Sequence, residues 1–297
     1  MQKRTVGFLL CMALATVLVF ALCTGVLATY SRVITFGADL DRAQKSMLAS
    51  KFGVNLAEAN VPVVDVTNAE ERKYLAGLVP ENVIGTRAIS SAMVEILPAG
   101  RGITVETQNI NWVTTDMYAN AMATARVKDA RVIVAAPFPV SGTAALTGIF
   151  KAFEAATGKS LGDQAKKVAN EELVRTGELA RDIGKDNATR LVLLVKEKVI
   201  TERTKDPERI RQIIINVAGD LNINLNNRQI EDLTTLMQKI SGLNLNITDI
   251  TDQLTNLKTE IQRKITERPE LKNWFARLLD AISHLVQQIR ALIISEG

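Results

Sequence analysis

Cysteine is nearly absent from this 297-residue sequence: only Cys11 and Cys23 occur, and both lie within the first 28 residues. A chain from which those residues have been removed therefore has no thiol. This excludes disulfide bonds and thiol catalysis from the rest of the protein, which must be stabilised by buried apolar area. The remaining length of about 270 residues is enough for one large domain or two moderate ones.

Histidine is almost missing as well, because His284 is the only one. A Ser-His-Asp triad or a histidine-ligated metal would have to be centred on this residue, which has no partner nearby in sequence. We therefore expect no histidine-based catalysis, no metal and no cofactor. Paired carboxylates stay open as a source of acid–base chemistry, because the 32 Asp and Glu residues offer many pairs that spacing alone does not identify.

The sequence lacks a strong excess of charge of either sign. Its formal net charge is +4, and Lys3 and Arg4 supply two of those charges, so the body without the first 28 residues carries +2. Basic residues are mixed with acidic ones, as where Lys166 is followed by Glu171, and aromatic residues make up only 4% of the chain. A nucleic-acid-binding surface needs a basic stripe, so we expect no nucleic-acid partner.

A charge-free apolar run follows Lys3 and Arg4 and spans residues 6–28. A basic end before such a run is typical of an export signal, and the small residue Ala28 suits cleavage before Thr29. The run of 23 residues is also long enough to span a bilayer as a helix, so its retention as a membrane anchor is the alternative. In both cases the basic end stays in the cytoplasm, and the sequence predicts an extracytoplasmic protein that is secreted or anchored to the cell membrane.

Between residues 29 and 158, short apolar runs alternate with helical patterns. The patterns predict strands at residues 33–36, 61–66 and 132–136, and helices at residues 43–52, 68–78, 115–125 and 142–156. Two further runs, residues 86–97 and 103–107, flank the turn sequence PAGRG and predict a β-hairpin. This alternation predicts a mixed sheet covered by helices, of the α+β or α/β class, with one antiparallel hairpin.

From residue 159 to the end, apolar residues recur at helical spacing and no strand is predicted. Pro207 and Pro269 each stand where the first turn of a helix tolerates proline, and they mark two helix starts. The apolar stripes of residues 247–261 and 271–294 are interpreted as core positions of packed helices, with a partner-binding role for the last stripe as the alternative. The chain is therefore divided into a signal peptide or N-terminal membrane anchor (residues 1–28), an α/β domain (residues 29–158) and an all-helical C-terminal domain (residues 159–297).

One segment of the helical region imitates a calcium-binding loop. Oxygen ligands of such a loop would be Asp220, Asn222, Asn224 and Glu231. Leu225, however, occupies the position at which the sharp turn needs glycine. We interpret the segment as a loop that enters a helix near Asn227, and we expect no metal there.

The sharpest candidate site is the proline-punctuated connection of residues 137–141, between a predicted strand and a helix that begins near Gly142. At the carboxyl end of a strand, the free N–H groups of that helix and the hydroxyls of Ser141 and Thr143 could hold an anionic group. Ser141, Gly142 and Thr143 are therefore the hypothetical ligand-binding residues. The same residues also have a purely structural explanation, in which Ser141 caps the helix and Gly142 lets the backbone turn.

The block NWVTTDMYANAMATARVKDARVIVAAPFPVSGTAALTGIFKAFE, residues 111–154, closely resembles the exported bacterial family called domain of unknown function 1002. The resemblance extends to VITFGADL at residues 33–40 and to NVAGDLNINLNNRQI at residues 216–230. It implies an extracytoplasmic envelope protein of Gram-positive bacteria. It carries over no activity and no catalytic residue.

Together, these features predict a cell-envelope protein that acts as a binding or structural module for a cell-wall polymer or another envelope protein. It would contact the membrane through residues 6–28 if they are not cleaved. The alternative is a hydrolase-like envelope enzyme with its site at residues 137–143, where Ser141 or Thr143 would bind substrate and an unidentified carboxylate would act as base. The catalytic residues are unknown, and a non-enzymatic role is preferred.

Overall fold

The computed structural model describes residues 30–56, 61–245, 279–280, 282–283 and 285–287. Residues 30–56 and 61–245 form five strands and nine helices. In chain order they are β1 (Arg32–Gly37), α1 (Arg42–Lys51), β2 (Val63–Val66), α2 (Asn68–Leu75), α3 (Glu81–Ile84), β3 (Ser91–Ile96), β4 (Ile103–Ile110), α4 (Thr115–Thr124), β5 (Ala130–Val140), α5 (Ala145–Thr157), α6 (Asp163–Ile183), α7 (Lys185–Thr201), α8 (Pro207–Asp220) and α9 (Asn227–Ser241). The predicted class, a mixed sheet with helices followed by a helical region, is confirmed.

The five strands form one sheet in the order β2-β1-β3-β5-β4. β2 is parallel to β1 and β4 is parallel to β5, whereas β3 is antiparallel to both of its neighbours. Four strands therefore point the same way. Their last residues define the carboxyl edge of the sheet, and their first residues define the amino edge.

The predicted hairpin across PAGRG is wrong. β3 and β4 run in opposite directions, but β5 lies between them and pairs with both. Val132, Val134 and Ala135 of β5 are completely buried, so this apolar strand is suited to an interior position with a neighbour on each side. The turn residues of the PAGRG loop, residues 98–102, indicate a chain reversal correctly, but the pairing partner is a strand that comes later in the sequence.

β5 also extends further than predicted and ends at Val140. The register of the β4–β5 ladder shifts between Gln108 and Ile110, and Ile110 pairs with Val140. Residues 136–139 therefore bulge out of the ladder, and Asn109 donates a hydrogen bond from Nδ2 to the carbonyl oxygen of the first of them at 2.9 Å. Because a bulge leaves backbone groups outside the ladder, the two prolines of this segment are tolerated within a strand.

Helices cover both faces of the sheet. One face packs against α4 and α5 in a core that includes Val33, Val94, Val132, Met122 and Ile149. The other face packs against α1 in a core that includes Ile34, Phe36, Met93, Ile133 and Leu48. Each such side chain contributes about 1.5–3 kcal/mol when it is fully buried. Successive side chains of a strand point to opposite faces of the sheet, so neighbouring residues of one strand belong to different cores.

The helices from α6 to α9 share a second core, in which Leu191, Ile213 and Leu236 are completely or almost completely buried. Ile282 and Leu285 are also buried in this core, which confirms the core interpretation of the last apolar stripe for these two residues. Pro207 is the first residue of α8, and Asp206 accepts a hydrogen bond from the N–H of Glu208, so the predicted helix start is confirmed. Pro269, His284 and residues 247–261 lie outside the described residues.

Helix α6 packs on both parts of the chain. Its residues Ala169 and Leu173 belong to the same core as Ala121 of α4, while Leu179 belongs to the core of the helical region. The division into domains at residues 158 and 159 stays a prediction. It falls at Gly158, whose φ of 67° ends α5.

The predicted export segment, residues 1–28, lies outside the described residues. Among the helices that the structure does describe, none combines the length and the hydropathy needed to cross a membrane.

Candidate functional site

Ser141, Gly142 and Thr143 lie together at the carboxyl edge, between β5 and α5. The hydroxyl oxygens of Ser141 and Thr143 are 3.3 Å apart, and the carbonyl oxygen of Ser141 accepts a hydrogen bond from the N–H of Val113 at 3.1 Å. Ser141 is half-buried and Thr143 is buried. A ligand could therefore reach the hydroxyl of Ser141 directly, whereas the hydroxyl of Thr143 would be reached only if the loop rearranged.

Ser141 does not cap the following helix. α5 begins at Ala145, its N-cap position is Ala144, and no side chain accepts a hydrogen bond from its first turn. The prediction of a Ser141 cap on a helix that starts at Gly142 is wrong, because the positive φ of Gly142 places a separate turn before the helix. That turn is closed by a hydrogen bond from the N–H of Ala145 to the carbonyl oxygen of Gly142 at 3.2 Å.

Gly142 is required at its position for two reasons. Its φ of 89° lies in a region that side chains other than glycine rarely adopt, and a Cβ there would lie 2.5 Å from both Ile110 Cγ2 and Tyr118 Oη. The Tyr118 hydroxyl donates a hydrogen bond to the carbonyl oxygen of Gly142 at 2.5 Å. Burial raises the pKa of Tyr118, so this donor keeps its proton. The structure thus confirms that Gly142 serves the turn.

The hydrolase-like alternative requires a carboxylate beside the two hydroxyls. Within the described residues, neither Ser141 nor Thr143 forms a side-chain hydrogen bond with Asp or Glu; each has the other as its hydroxyl contact. The base of that alternative therefore has no identified residue. Ligand binding by Ser141, Gly142 and Thr143 stays a prediction.

A buried carboxyl group lies at the same edge of the sheet, in the first turns of α2. Glu71 is only 1% exposed; its Oε2 accepts a hydrogen bond from Asn68 Nδ2 at 3.3 Å, whereas its Oε1 has no partner. Burial is the main cause that raises the pKa of Glu71 to about 7; the nearby charges of Asp39 and Glu70 act in the same direction, and the hydrogen bond from Asn68 acts against them. Sequence reasoning missed this residue, because spacing among acidic residues does not show which of them is buried.

A groove runs between α6 and α9, and we call it the α6–α9 groove. Two buried side chains, Leu179 and Leu233, supply its apolar part. Its polar lining consists of Arg175, Glu178, Arg181 and Asp182 from α6 and of Asn226, Arg228, Gln229 and Asp232 at and after the start of α9. The groove has a volume of about 410 Å³, which lies in the size range of ligand sites.

Both walls of the groove carry both signs of charge. On α6, Arg175 pairs with Glu178 at 3.0 Å. On α9, Arg228 Nε lies 3.9 Å from Asp232 Oδ2, and the Arg228 side chain is 89% exposed. Gln229 donates a hydrogen bond from Nε2 across the groove to the carboxylate of α6 residue Asp182 at 2.7 Å. This cross-helix bond sets the spacing of the two walls at one end of the groove.

Arg181 occupies a special position in the groove. Its guanidinium lies 5.9 Å from the ring centroid of Trp112, a cation–π contact that orients the side chain. Trp112 in turn packs against Gly177, where a Cβ would overlap the ring, so the ring reaches α6 only because residue 177 has no side chain. Among the described residues, Arg181 has no hydrogen-bond or ion-pair partner. Its guanidinium is therefore available to an incoming anionic group.

Past Asp182 and Gln229, the groove opens into a shallower hollow of about 540 Å³ that is lined also by Ile183, Asn224 and Leu225. This hollow contains part of the segment that imitates a calcium-binding loop. α9 begins at Asn227, as the sequence predicts. In the described part of the chain, no group of three or more His, Cys, Asp or Glu residues is placed to hold a metal ion.

Sequence reasoning also missed the groove. Its walls come from helices about 50 residues apart, and hydrophobic periodicity does not show which polar faces of two helices meet. The local signal is the set of charged residues at helical spacing, Arg175, Glu178 and Asp182, but the same spacing is typical of any exposed helix face.

Comparisons with known proteins agree on one family. The family model described as "Protein of unknown function (DUF1002)" matches residues 36–257. The "Uncharacterized protein YpuA" of Bacillus subtilis is 39% identical over 249 residues, which are 84% of this chain and 84% of that protein. No solved structure matches the chain. The residues matched by the family model include both the Ser141–Thr143 turn and the α6–α9 groove.

Proposed function

The chain belongs to the DUF1002 family, and from this premise we propose that it is an extracytoplasmic cell-envelope protein that binds a wall polymer or another envelope protein. The observation that carries the binding role is the α6–α9 groove, in which Trp112 orients the guanidinium of Arg181, and this guanidinium forms no hydrogen bond or ion pair with described residues. The export-type segment at residues 6–28 supports the location.

The chemistry of the groove favours an extended segment that carries both carboxylate and amine groups. The apolar part around Leu179 and Leu233 suits aliphatic portions of such a segment. Arg181 is suited to a carboxylate, because a guanidinium presents paired donors to its two oxygens. Asp232 and Glu178 are suited to an ammonium group.

A uniformly anionic polymer fits the groove less well. It would place like charges beside the carboxylates of Glu178, Asp182 and Asp232, and such contacts oppose binding. Peptide segments carry both charges. We therefore propose that the groove takes a peptide segment, supplied either by the peptide part of a wall polymer or by an extended part of an envelope protein.

Binding of the purified full-length chain in detergent to wall preparations and to envelope extracts tests this function. We expect binding to at least one of them. Arg181→Ala and Asp232→Asn should each weaken it about tenfold, which corresponds to about 1.4 kcal/mol. Arg42→Ala is the matched control, because Arg42 is an exposed arginine on α1, away from the groove.

Two outcomes contradict the proposal. If neither preparation retains the chain above background, the binding role is wrong. If Arg181→Ala and Arg42→Ala bind as the unchanged protein does, the α6–α9 groove is not the binding site.

A further inference from the structure

The amino edge of the sheet carries an excess of basic residues. Five basic side chains lie in the connections that meet there, at the end of α1, in the PAGRG loop, between α4 and β5, and after α5: Lys51, Arg101, Arg126, Lys128 and Lys159. The described part of these connections contains one acidic residue, Asp129. Its Oδ1 accepts a hydrogen bond from the N–H of Gly102 at 2.9 Å. In the described part of these connections basic residues therefore outnumber acidic ones; Glu58, in the connection between α1 and β2, lies outside the described residues.

Three of these basic side chains are not neutralised within the described protein. Lys51, Arg101 and Lys159 form no ion pair with described residues, and Arg101 and Lys159 are exposed. Charged residues on the adjacent face of the sheet add no net charge. They form a balanced set across the strands, with Arg32 paired to Glu95 at 3.0 Å and Arg131 paired to Glu106 at 2.8 Å.

The chain enters the fold at this same edge. The N–H of Tyr30 donates a hydrogen bond to the carbonyl oxygen of Ala156, in the last turn of α5, at 3.1 Å. Tyr30 follows the last residue of the predicted apolar segment by two positions in the sequence. Tyr30 and Leu56 add exposed apolar side chains to the edge, with 41% and 39% of their surface exposed.

The carboxyl edge lacks such an excess. The loops before α1 and before β3 carry the acidic residues Asp39 and Asp41 together with the basic residue Arg87. Among the described loops of the sheet, the excess of basic residues is therefore at the amino edge, where Tyr30 enters the fold.

We propose that the amino edge is a membrane-contact surface that lies against anionic lipid headgroups, with residues 6–28 as its tether while they are attached. This inference rests on the proposed extracytoplasmic location. Each basic residue close to an anionic membrane strengthens the association about fivefold, so Lys51, Arg101 and Lys159 together have a substantial effect. The carboxyl edge, with the Ser141–Thr143 turn, then faces away from the membrane.

A purely structural role makes a different prediction. Lys51, Lys128 and Lys159 lie at or beyond the C-terminal ends of helices, where basic side chains also offset the helix dipole. Arg101 lies in a loop between two strands and has no helix end to offset. For variants at Arg101 and Lys159, the distance of the protein from the lipid headgroups therefore has to be measured in addition to the free energy of unfolding.

Fluorescence quenching in vesicles tests the contact on the full-length chain. With Cys11→Ser and Cys23→Ser as background, one fluorophore is attached either through Ala99→Cys in the PAGRG loop or through Thr86→Cys at the carboxyl edge. The chain is reconstituted into phosphatidylcholine vesicles with or without phosphatidylglycerol, and a nitroxide on the lipid headgroups is the quencher. We expect quenching at residue 99 to exceed that at residue 86 about threefold in anionic vesicles.

Charge reversal separates lipid contact from simple tethering. Arg101→Glu combined with Lys159→Glu should lower quenching at residue 99 to the level found in neutral vesicles. Arg42→Glu combined with Arg87→Glu, the matched pair at the carboxyl edge, should leave it unchanged. Arg101→Gln with Lys159→Gln provides a milder pair if the glutamate variants unfold at lower urea concentration.

Equal quenching at residues 99 and 86, or quenching at residue 99 that is insensitive to phosphatidylglycerol and to the charge reversal, would overturn the proposal. The vesicles contain no wall polymer and no other protein, so this result is independent of binding in the α6–α9 groove. A chain that contacts lipid but binds no envelope component would contradict the proposed function alone.

Discussion

Lys196 Nζ lies 2.8 Å from Glu172 Oε1, and both side chains are almost completely enclosed by protein. The ammonium group also donates to the carbonyl oxygen of Asn120 at 2.9 Å and to Thr124 Oγ1 at 3.1 Å. The Thr124 hydroxyl donates in turn to the second oxygen of Glu172. The three N–H groups of the ammonium are therefore all hydrogen-bonded. The network connects α4, which packs on the sheet, with α6 and α7.

Replacement of one partner in this network should strongly destabilise the fold. Lys196→Met leaves the Glu172 carboxylate buried without its counter-charge, and we expect a loss of about 3–5 kcal/mol in the free energy of unfolding. The double variant with Glu172→Met as well should lose much less, because no buried charge is left uncompensated. Urea unfolding of the three proteins measures this. A double variant that is as unstable as the single one would show that shape, not charge, dominates at this site.

Gly142→Ala should be more damaging than an alanine at another glycine with positive φ. The added Cβ would collide with Ile110 and with the Tyr118 hydroxyl, in addition to the strain of a φ near 89°. Gly53 also has a positive φ, but nothing lies within 4 Å of its Cβ position, so Gly53→Ala is the matched control and should cost only the backbone strain of about 1–2 kcal/mol. We expect Gly142→Ala to exceed that value in urea unfolding. Equal losses would show that the turn relaxes around the new side chain.

Glu71 should make stability fall as pH rises. Its pKa is raised from 4.5 in the unfolded chain to about 7 in the fold, so the native state holds this proton more tightly. The stability from this group is complete below pH 4.5 and is lost as pH rises through 7. Against Glu71→Gln, which keeps the shape and does not titrate, the unchanged protein should lose up to about 3 kcal/mol over that interval. Denaturation at a series of pH values measures the difference, and parallel curves would contradict it.

Gly177→Ala should displace Trp112 from α6 and with it the orientation of Arg181. We expect a loss of about 1–3 kcal/mol in stability, as for other cases of overpacking, and weaker binding in the α6–α9 groove. In a Trp274→Phe background, the fluorescence of Trp112 should shift to longer wavelength, because the ring becomes more exposed. Gly219→Ala in α8 is the control, since nothing lies within 4 Å of its Cβ position. An unchanged Trp112 spectrum would contradict this prediction, because it would show that α6 shifts to accommodate the new side chain while the Trp112 ring keeps its position.

The mature protein is expected to begin at Thr29, because the small residue Ala28 suits signal cleavage. Mass spectrometry of the N-terminus from fractionated cells measures this. An intact Met1 in the membrane fraction would show that residues 6–28 are kept as an anchor, and it would contradict the preferred cut.

Much of the local structure could be predicted from the sequence, because it depends on neighbours along the chain. The predicted helix at residues 43–52 differs from α1 by one residue at each end, and the helix starts at Pro207 and near Asn227 are confirmed. Apolar periodicity, proline at a first helical turn and glycine after a last one act within a few residues. These signals do not require knowledge of the fold.

The candidate sites could be predicted only in part. The turn at Gly142 was predictable, since glycine is the residue that adopts a positive φ readily. The Ser141 cap was not correct, because capping depends on the residue at which the helix begins, and α5 begins three residues later than its pattern indicates. Glu71 and the α6–α9 groove had no distinctive local signal at all, since burial and facing helices arise from contacts between distant segments.

The sequence by itself therefore determined the family, the five strands in chain order with the helices between them except α3, and the mixed-sheet class. It also determined the small set of chemistries that one histidine and no cysteine beyond residue 23 allow. Only the tertiary structure decided that β5 lies between β3 and β4 and that Lys196 meets Glu172 in the interior. It also decided that Trp112 orients the guanidinium of Arg181, which forms no hydrogen bond or ion pair with described residues. The physical reason is the same in each case. Pairing of strands, burial of charge and orientation of a guanidinium depend on which distant residues share the space, and a linear pattern contains no information on that.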